Sequence, residues 1–393
     1  MSTDTLNGAA VIVGAYEHPE RRLPGYSLFR VHREVIMGAL ADAGLGIEDV
    51  DAFFTDGTVP GYGTLDITEY LGMKVKYTED SEFGGATYVS AVGHAAAAIA
   101  QGKCKVAVVS LAGLPLQSGD ATAALVVDYG PVTSFETNGF VGAYGPVADY
   151  AVLAKRHMHD YGTTPEQLAW IKVAAAEHAK HNPRSFLKGE VTVEDVINSP
   201  LVADPLHRLD CCVMTDGGGA LVIVHPDVAK SLGRKGAIVR GHGEAIKDTM
   251  GGKADLSYTA NKPAADRAYA EAGFGPEKIQ YLSLYDSFTI TVLMAIEDLG
   301  FAKKGEGGKY VEDFGLTAKG GRVPVNTDGG GLMNNHPGNR GGMTKVIEAV
   351  RQLRGEATPE VQVKDCEFAA AAGTGFRLAS RHFSSTVILE QYS

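Results

Sequence analysis

Cysteine is scarce in this sequence, and its few copies are badly spaced for metal binding or cross-linking. The 393 residues contain four cysteines, none of them in a Cys-x-x-Cys pair, so neither a zinc site nor a disulfide framework is indicated. Two of the four are adjacent, which makes them poor disulfide partners for each other. We therefore expect free thiols and no metal at these positions, which are Cys104, Cys211, Cys212 and Cys366.

Long apolar runs and excess positive charge are also missing. No stretch of 18 or more apolar residues is present, so no membrane-spanning helix is predicted. The sequence MSTDTLNGAAVIVG at the N-terminus has no basic segment followed by an apolar one, so we expect no signal peptide and a cytoplasmic location. The formal net charge of −11 argues against general affinity for nucleic acid or anionic membrane.

Short apolar segments separated by helical ones make up much of the chain. "AAVIVGAY" (9–16) and "KVAVVSLAG" (105–113) are typical of buried strands, and "LFRVHREVIMGALADAGLG" (28–46) has a helical periodicity that ends at glycine. Hydrophobic residues make up 45% of the chain and glycine has 49 copies, so we expect a sizeable core with many tight turns. The alternation predicts a layered α/β fold with largely covered sheets.

The order of these segments indicates a duplicated chain with an insertion. Residues 114–208 interrupt the strand–helix alternation with successive helices, and the order of the first half then returns in the second. We predict a first half at 1–245, which includes this helical insertion, and a second half at 246–393. We also expect a turn before a buried helix at corresponding points of the halves, at Gly85–Ala86 and Tyr285–Ser287.

Four longer segments resemble one known family, the thiolases of the sterol-carrier-protein-x type. They are "GPVADYAVLAKRHMHDYGTTPEQLAWIKVAAAEHAKHNP" (145–183), "VTVEDVINSPLVADPLHRLDCCVMTDGGGALVIV" (191–224), "LYDSF" (284–288) and "PVNTDGGGLMNNHPGNRGG" (324–342). The resemblance covers nearly the whole chain in the right order. It implies the thiolase fold, in which two layered αβαβα halves are duplicates and a helical loop domain is inserted into the first.

The resemblance also implies two chemical stations. In the family, a cysteine at the N-terminus of the first buried helix is acylated, and the histidine of a His-Pro pair lowers the pKa of that cysteine. A second cysteine, in a His-Asp-Cys-Phe segment, moves the α-proton of the other acyl group. In this sequence Gly85 or Ala86 stands at the first cysteine and Ser287 at the second. Tyr285 replaces the histidine of the second segment, whereas His336 of the His-Pro pair keeps its place.

The polar residues that remain at these stations favour acid–base chemistry without a covalent intermediate. A phenol can take or donate a proton, so Tyr285 and His336 are the predicted acid–base pair. Asp286 matches the family's aspartate and is expected to cap the turn, and Ser287 is a further candidate. Backbone N–H groups at three positions are predicted to hold the thioester oxygen, namely Gly85, Ala86 and Gly373.

Loss of both thiols argues against thiolytic cleavage and favours retro-aldol cleavage of a β-hydroxyacyl-CoA, which needs no acyl-enzyme. The pattern resembles the thiolase-like aldolases of bacterial steroid side-chain degradation, which implies release of a short acyl-CoA with a ketone or aldehyde. Two alternatives stay open. One is a non-catalytic scaffold subunit that binds acyl-CoA. The other is an acetyl-CoA acyltransferase-type thiolase whose nucleophile is unusual, such as Ser287, or comes from a partner.

The resemblance further implies ligands and partners. Coenzyme A is expected as part of the substrate, with no permanently bound cofactor and no metal. Basic residues of the insertion and of the His-Pro loop are candidates to bind its phosphates: Arg156, His157, Arg184, Lys188 and Arg340. We expect a homodimer formed through the sheet edge near 105–110, and a small OB-fold, zinc-ribbon acyl-CoA-associated protein as a further partner.

Overall fold

The computed structural model describes residues 6–57, 61–118, 145–247, 255–338, 341–376 and 382–393. Its strands are β1 (Val11–Glu17), β2 (Ala52–Asp56), β3 (Tyr77–Ser81), β4 (Val106–Gly113), β5 (Leu201–Ala203), β6 (Leu206–His207), β7 (Gly217–Val224), β8 (Gly236–Lys247), β9 (Tyr281–Leu284), β10 (Phe368–Phe376) and β11 (His382–Tyr392). Its helices are α1 (Leu28–Ala43), α2 (Thr64–Leu71), α3 (Thr87–Ala100), α4 (Pro115–Ser118), α5 (Gly145–Tyr161), α6 (Pro165–Ala179), α7 (Val193–Ile197), α8 (Pro226–Leu232), α9 (Asn261–Ala272), α10 (Thr289–Asp298), α11 (Gly307–Val311), α12 (Gly330–Met333) and α13 (Gly342–Arg354).

Local sequence explains where the longer helices begin and end. Ser27 caps α1, because its side chain accepts a hydrogen bond from the Arg30 N–H, and Gly44 ends this helix in the left-handed conformation at φ 75°. Thr164 and Gln167 form a capping box at the start of α6. Of these signals, the glycine stop of α1 is the one from which the end of a helix is predicted in the sequence.

Nine strands form one sheet in which the same pairing pattern occurs twice. Their order is β3-β2-β4-β7-β1-β8-β11-β10-β9. In the first half β2 runs parallel to β4, which is antiparallel to β7, which is antiparallel to β1. In the second half β9 runs parallel to β10, which is antiparallel to β11, which is antiparallel to β8. The halves join where β1 pairs with β8, so the duplication is a property of the strand pairing.

Two helices lie between the strands of the two halves. α3 and α13 pack against each other, and each contacts strands of both halves. α3 tolerates this position because its sequence, TYVSAVGHAAAAIA, is small and mostly apolar all round. On the outer faces, α1 covers the first half and α9 covers the second. Side chains alternate accordingly along β1, where Ile12 belongs to the middle core and Val11 to the outer core under α1. The predicted αβαβα layering is confirmed.

The topology corrects two predictions. First, the helix of the second half that corresponds to α3 is α13 and not α10. The turn at Tyr285–Ser287 therefore corresponds to the end of β2, and the counterpart of Gly85–Ala86 is the segment before α13. Second, β4 is paired on both sides, by β2 and β7, so the dimer edge predicted near 105–110 is wrong. The outermost strand of the first half is β3.

The two halves and the insertion are not separate units that follow one another along the chain. The predicted boundary at residue 245 falls inside β8, which pairs along its length with β11 of the second half. The inserted helices α5 and α6 pack on α10, which also belongs to the second half. The insertion thus lies beside the turn that follows β9.

Candidate active site

Tyr285 follows directly on the last residue of β9. Its N–H donates to the Ala372 carbonyl oxygen at 2.9 Å, which fixes the turn to the neighbouring strand β10. The side chain is buried, and its hydroxyl oxygen lies 2.9 Å from Nε2 of His336. The two rings are tilted, with centroids 5.4 Å apart. The structure thus brings together the two residues that the sequence proposes as an acid–base pair.

His336 lies in the loop between α12 and α13. Its backbone N–H donates to the Thr215 hydroxyl at 2.9 Å, and Thr215 in turn donates to the Asn335 side-chain oxygen at 2.7 Å. Burial lowers the pKa of His336 to about 4; the Asp286 carboxylate opposes this shift and the Lys345 ammonium adds to it. The imidazole is therefore neutral at neutral pH. With the imidazole hydrogen on Nδ1, Nε2 can accept a hydrogen bond from the Tyr285 hydroxyl.

Gly85 is the position that faces this pair. A Cβ atom on Gly85 would lie 2.3 Å from Cζ of Tyr285 and 2.4 Å from the Thr374 carbonyl oxygen. The tyrosine ring thus fills the space that a side chain at the head of α3 would need. Of the two positions considered for the missing nucleophile, Gly85 is the one that points at Tyr285.

Two helix N-termini meet at this point. The first residue of α13, Gly342, approaches the turn before α3 so closely that a Cβ atom on it would lie 2.3 Å from the Gly85 carbonyl oxygen. The positive ends of both helix dipoles are therefore directed toward the Tyr285–His336 pair. Such an arrangement favours a substrate that becomes negatively charged there.

The predicted oxyanion donors behave differently from one another. The Ala86 N–H donates to the Phe83 carbonyl oxygen at 3.2 Å inside a 3-10 turn, so the prediction that it is free to hold a thioester oxygen is wrong. Gly373 lets β10 cross this turn closely, because a Cβ atom on it would lie 2.7 Å from Cα of Ala86. Donation by the backbone of Gly85 and Gly373 stays a prediction.

Asp286 connects the Tyr285 turn to the His336 loop. Its carboxylate accepts hydrogen bonds from the N–H groups of Gly331 and Leu332 at 2.9 and 3.2 Å. The same carboxylate lies 2.6 Å from Nζ of Lys345 on α13, and both side chains are only 1% exposed. A buried charge pair therefore fixes the Tyr285 turn and the His336 loop to each other and to α13.

Hydroxyl groups also cluster at Ser287, two residues after Tyr285 in the same turn. The Ser287 hydroxyl is 3.3 Å from the Thr291 hydroxyl. Tyr150 of α5 reaches the same place, and its ring packs on Phe288 with centroids 4.5 Å apart. The sequence alone does not single out Tyr150, because helical periodicity predicts the helix but not which of its residues faces the turn after β9.

A buried polar network that no sequence motif marks supports the His336 loop. Asn335 donates to Glu17 at 2.7 Å, and Arg351 of α13 donates to the same carboxylate at 3.1 Å. Although burial opposes ionisation, Arg21 and Arg351 hold the pKa of Glu17 down at about 2. Glu17 therefore stays charged and anchors the loop through Asn335.

The residues proposed to bind coenzyme A are scattered. Arg184 and Lys188 are exposed on a loop whose Phe186 and Leu187 N–H groups donate to the carbonyl oxygens of Asn334 and Met333, next to His336. Arg156 pairs with Asp160 one turn further along α5. Arg340 lies outside the described residues.

His157, the remaining residue in that group, does not fit the prediction. Its ring is buried and lies 3.1 Å from Glu297 through Nε2 and 2.8 Å from the Thr163 hydroxyl through Nδ1. Both ring nitrogens thus have partners inside the protein. A role for His157 in phosphate binding is wrong, and its place is structural.

The four cysteines offer no activated thiol. All are free, and burial raises the pKa of each to about 12, so they stay protonated at neutral pH. Within the described ranges, no group of three or more His, Cys, Asp or Glu side chains is arranged to hold a metal ion. None of the described helices has the length and apolar character needed to cross a membrane.

Comparison with known proteins gives consistent matches. Residues 243–391 match the family model described as thiolase C-terminal domain-like. The chain is 32% identical to the 17-hydroxy-3-oxo-4-pregnene-20-carboxyl-CoA lyase of Mycobacterium tuberculosis, over 94% of this chain and 97% of that protein. It is 39% identical to an acetyl-CoA acetyltransferase of Methanothermobacter thermautotrophicus, over 60% of this chain and 62% of that one. A solved structure described as the Ltp2-ChsH2(DUF35) aldolase superposes with a TM-score of 0.87 at 30% identity and covers 98% of both chains.

Proposed function

Since the chain belongs to the thiolase superfamily, in the branch of thiolase-like acyl-CoA lyases, we infer that it is an enzyme that cleaves a carbon–carbon bond of an acyl-CoA. We propose more specifically that it performs a retro-aldol reaction on a β-hydroxyacyl-CoA. The products would be a short acyl-CoA and a ketone or aldehyde. A steroid side chain is the proposed source of the acyl group, by analogy with the pregnene-carboxyl-CoA lyase.

The observation that carries this proposal is the buried Tyr285–His336 hydrogen bond of 2.9 Å at the position of the missing nucleophile. Retro-aldol cleavage starts when a base removes the proton of the β-hydroxyl group. The Tyr285 oxygen takes that proton as it gives its own to Nε2 of the neutral His336. A tyrosine alone is a weak base at neutral pH, and the histidine behind it provides the place for the proton.

The electrons of the breaking bond then move into the thioester. As the bond between the α- and β-carbons breaks, the β-carbon becomes the carbonyl carbon of the ketone or aldehyde, and the acyl-CoA fragment becomes an enolate. The negative charge develops beside the two helix N-termini at Gly85 and Gly342, which stabilise it. A proton added to the α-carbon completes the short acyl-CoA.

A thiolase mechanism is disfavoured by the same site. Thiolysis needs a thiolate in contact with the thioester, and Tyr285 fills the space at Gly85 where that thiolate would stand. The described thiols all stay protonated at neutral pH. The similarity to an acetyl-CoA acetyltransferase therefore concerns the scaffold, because this chain has no cysteine at the nucleophile position.

We propose a homodimer in which β3 is the contact edge, because β3 is the outermost strand of the first half. Alternate residues of β3 are exposed, as expected for a strand with one uncovered face. A small second subunit is proposed by analogy with the aldolase described together with ChsH2(DUF35). Cytoplasmic location also stays a proposal.

The test is direct. The protein, with and without a co-encoded small partner, is incubated with β-hydroxyacyl-CoAs that carry a tertiary β-hydroxyl group, and the products are separated by mass. A carbonyl compound and a short acyl-CoA in equal amounts are expected. If coenzyme A thioesters bind but no substrate is cleaved, the scaffold alternative replaces the lyase. A stable acyl adduct on the protein would instead favour an unusual nucleophile.

A further inference from the structure

Tyr150 reaches the active site from the inserted helix α5. Its side chain is 3% exposed although its helix lies at the outside of the second half. The ring packs on Phe288, and the hydroxyl donates to the Phe376 carbonyl oxygen at 3.4 Å. The phenol therefore ends between the turn after β9 and the end of β10.

The neighbours of this phenol are themselves hydroxyl groups of the site. The side chains of Ser287 and Thr374 lie close enough to the Tyr150 hydroxyl to lower its pKa, but burial is the larger influence and raises the pKa above its ordinary value. The phenol therefore keeps its proton at neutral pH and can act as an acid. Thr374 also borders the first pair, since its carbonyl oxygen would lie 2.4 Å from a Cβ atom on Gly85. Thr374 thus has Tyr150 near its side chain and the Gly85 position near its carbonyl oxygen.

We propose that Tyr150 supplies, through Ser287, the proton that the α-carbon takes up after carbon–carbon cleavage. Ser287 stands where the related thiolases carry the thiol that moves the α-proton. An aliphatic hydroxyl is a much weaker acid than a thiol, whereas a phenol beside it restores an acidic proton to this position. The inference rests on the proposed retro-aldol function, for which it names the missing acid.

The proton balance closes without another reactant. The enolate carbon takes the Ser287 hydroxyl proton while Ser287 takes the Tyr150 proton, and the enolate's negative charge passes to the Tyr150 oxygen. By then Tyr285 carries the proton from the substrate's β-hydroxyl, and His336 carries the proton that Tyr285 gave up. His336 releases its proton to water and water reprotonates Tyr150, so each turnover releases no net proton.

Exchange of hydrogen for deuterium at the α-carbon tests this step apart from cleavage. Wild-type protein in D₂O is expected to introduce deuterium at the α-carbon of propionyl-CoA, a reaction that uses no β-hydroxyl group. Tyr150→Phe should slow both exchange and cleavage about 100-fold, the lower end of the usual effect of a general acid. Tyr161→Phe, which removes a phenol from the same helix at a more exposed position, is the matched control and should change neither rate.

A rescue experiment distinguishes a role of Tyr150 in proton supply from a role in stabilising the fold. Ser287→Cys in the Tyr150→Phe background should restore most of the exchange rate, because a thiol donates the proton without help. Ser287→Ala should reproduce the loss while Tyr150 is intact, and the Tyr150→Phe/Ser287→Ala double variant should be no slower than either single one. The last two variants also test the relay if Tyr150→Phe does not fold.

Two results would overturn the inference: full exchange and cleavage by Tyr150→Phe, or a Tyr150→Phe/Ser287→Cys variant that stays as slow as Tyr150→Phe. Failure of the proposed function has a different signature. In that case wild type cleaves no β-hydroxyacyl-CoA, while exchange and its dependence on Tyr150 persist.

Discussion

A Cβ atom on Gly85 would lie 2.3 Å from Cζ of Tyr285, so the ring of this tyrosine occupies the place of the absent nucleophile. The residue types at these two positions depend on each other. A cysteine at the head of α3 would leave no room for the phenol ring, and the proposed retro-aldol reaction needs no cysteine at this position. The glycine is required because real Cβ atoms do not approach ring carbons this closely.

Restoring the nucleophile alone should therefore fail. Gly85→Cys is expected to displace the Tyr285 ring, abolish cleavage and still form no acyl-enzyme. Gly85→Cys/Tyr285→His removes the clash with the phenol ring, so that only the approach to the Thr374 carbonyl oxygen has to be relieved by a small shift of β10. This double variant should form an adduct with acyl-CoA, which intact-protein mass spectrometry detects. Ala86→Cys serves as the control at the neighbouring buried position and should remain unmodified. An adduct on the Gly85→Cys single variant with cleavage retained would contradict the placement of Tyr285.

Removal of the Tyr285 hydroxyl should stop turnover while the fold survives. Tyr285→Phe keeps the ring that fills the space beside Gly85 but loses the bond to Nε2 of His336. We expect kcat to fall between about 100- and 10,000-fold with little change in substrate binding. Steady-state kinetics with a β-hydroxyacyl-CoA measure this, and Tyr62→Phe, at an exposed position, is the control. Unchanged kcat would remove Tyr285 from the mechanism.

The buried histidine should make stability pH-dependent in a defined direction. His336 has a folded-state pKa of about 4 against an ordinary value of 6.5, so below pH 6.5 the unfolded chain binds a proton that the folded protein excludes. Wild type should therefore lose stability relative to His336→Gln as pH falls from 6.5 to 4, by a total on the order of 3 kcal/mol. Urea unfolding of both proteins at several pH values measures the difference. A difference that is constant over this range would show that His336 titrates normally.

The buried ion pair below the site should tolerate joint replacement better than loss of one partner. Lys345→Met leaves the Asp286 carboxylate buried with its two backbone hydrogen bonds but no cation, and we expect a loss of about 3–5 kcal/mol. Adding Asp286→Asn should recover part of that loss. Chemical denaturation of the wild type, both single variants and the double variant gives the coupling energy. Equal stability of wild type and Lys345→Met would contradict a structural role for the pair.

Much of the fold is predictable because it depends on local signals. The strands at 9–16 and 105–113 and the helix at 28–46 are confirmed as β1, β4 and α1, with ends that differ by a few residues. The exposed strand β3 is not predicted, since its sequence YTEDS carries no apolar run. Its place at the edge follows from pairing with β2.

Some residues of the candidate site can likewise be predicted from the sequence, and others cannot. Tyr285 and His336 are found from motif positions, and the structure places them 2.9 Å apart. Tyr150 is missed because nothing in its helix marks the residue that faces Ser287. His157 is assigned wrongly because a histidine in a helix looks the same in sequence whether it is exposed or paired with a buried Glu297.

By itself, the sequence determined that no cysteine stands at either station, and hence that acyl-enzyme chemistry is disfavoured, because covalent reactivity is a property of the residue type. It also determined the family and the order of the elements. Only the tertiary structure decided that Gly85 rather than Ala86 faces Tyr285, that β3 rather than β4 is the sheet edge, and that Tyr150 meets Ser287. These relationships join residues far apart in the chain, and the packing of strands and helices brings them together in one buried space.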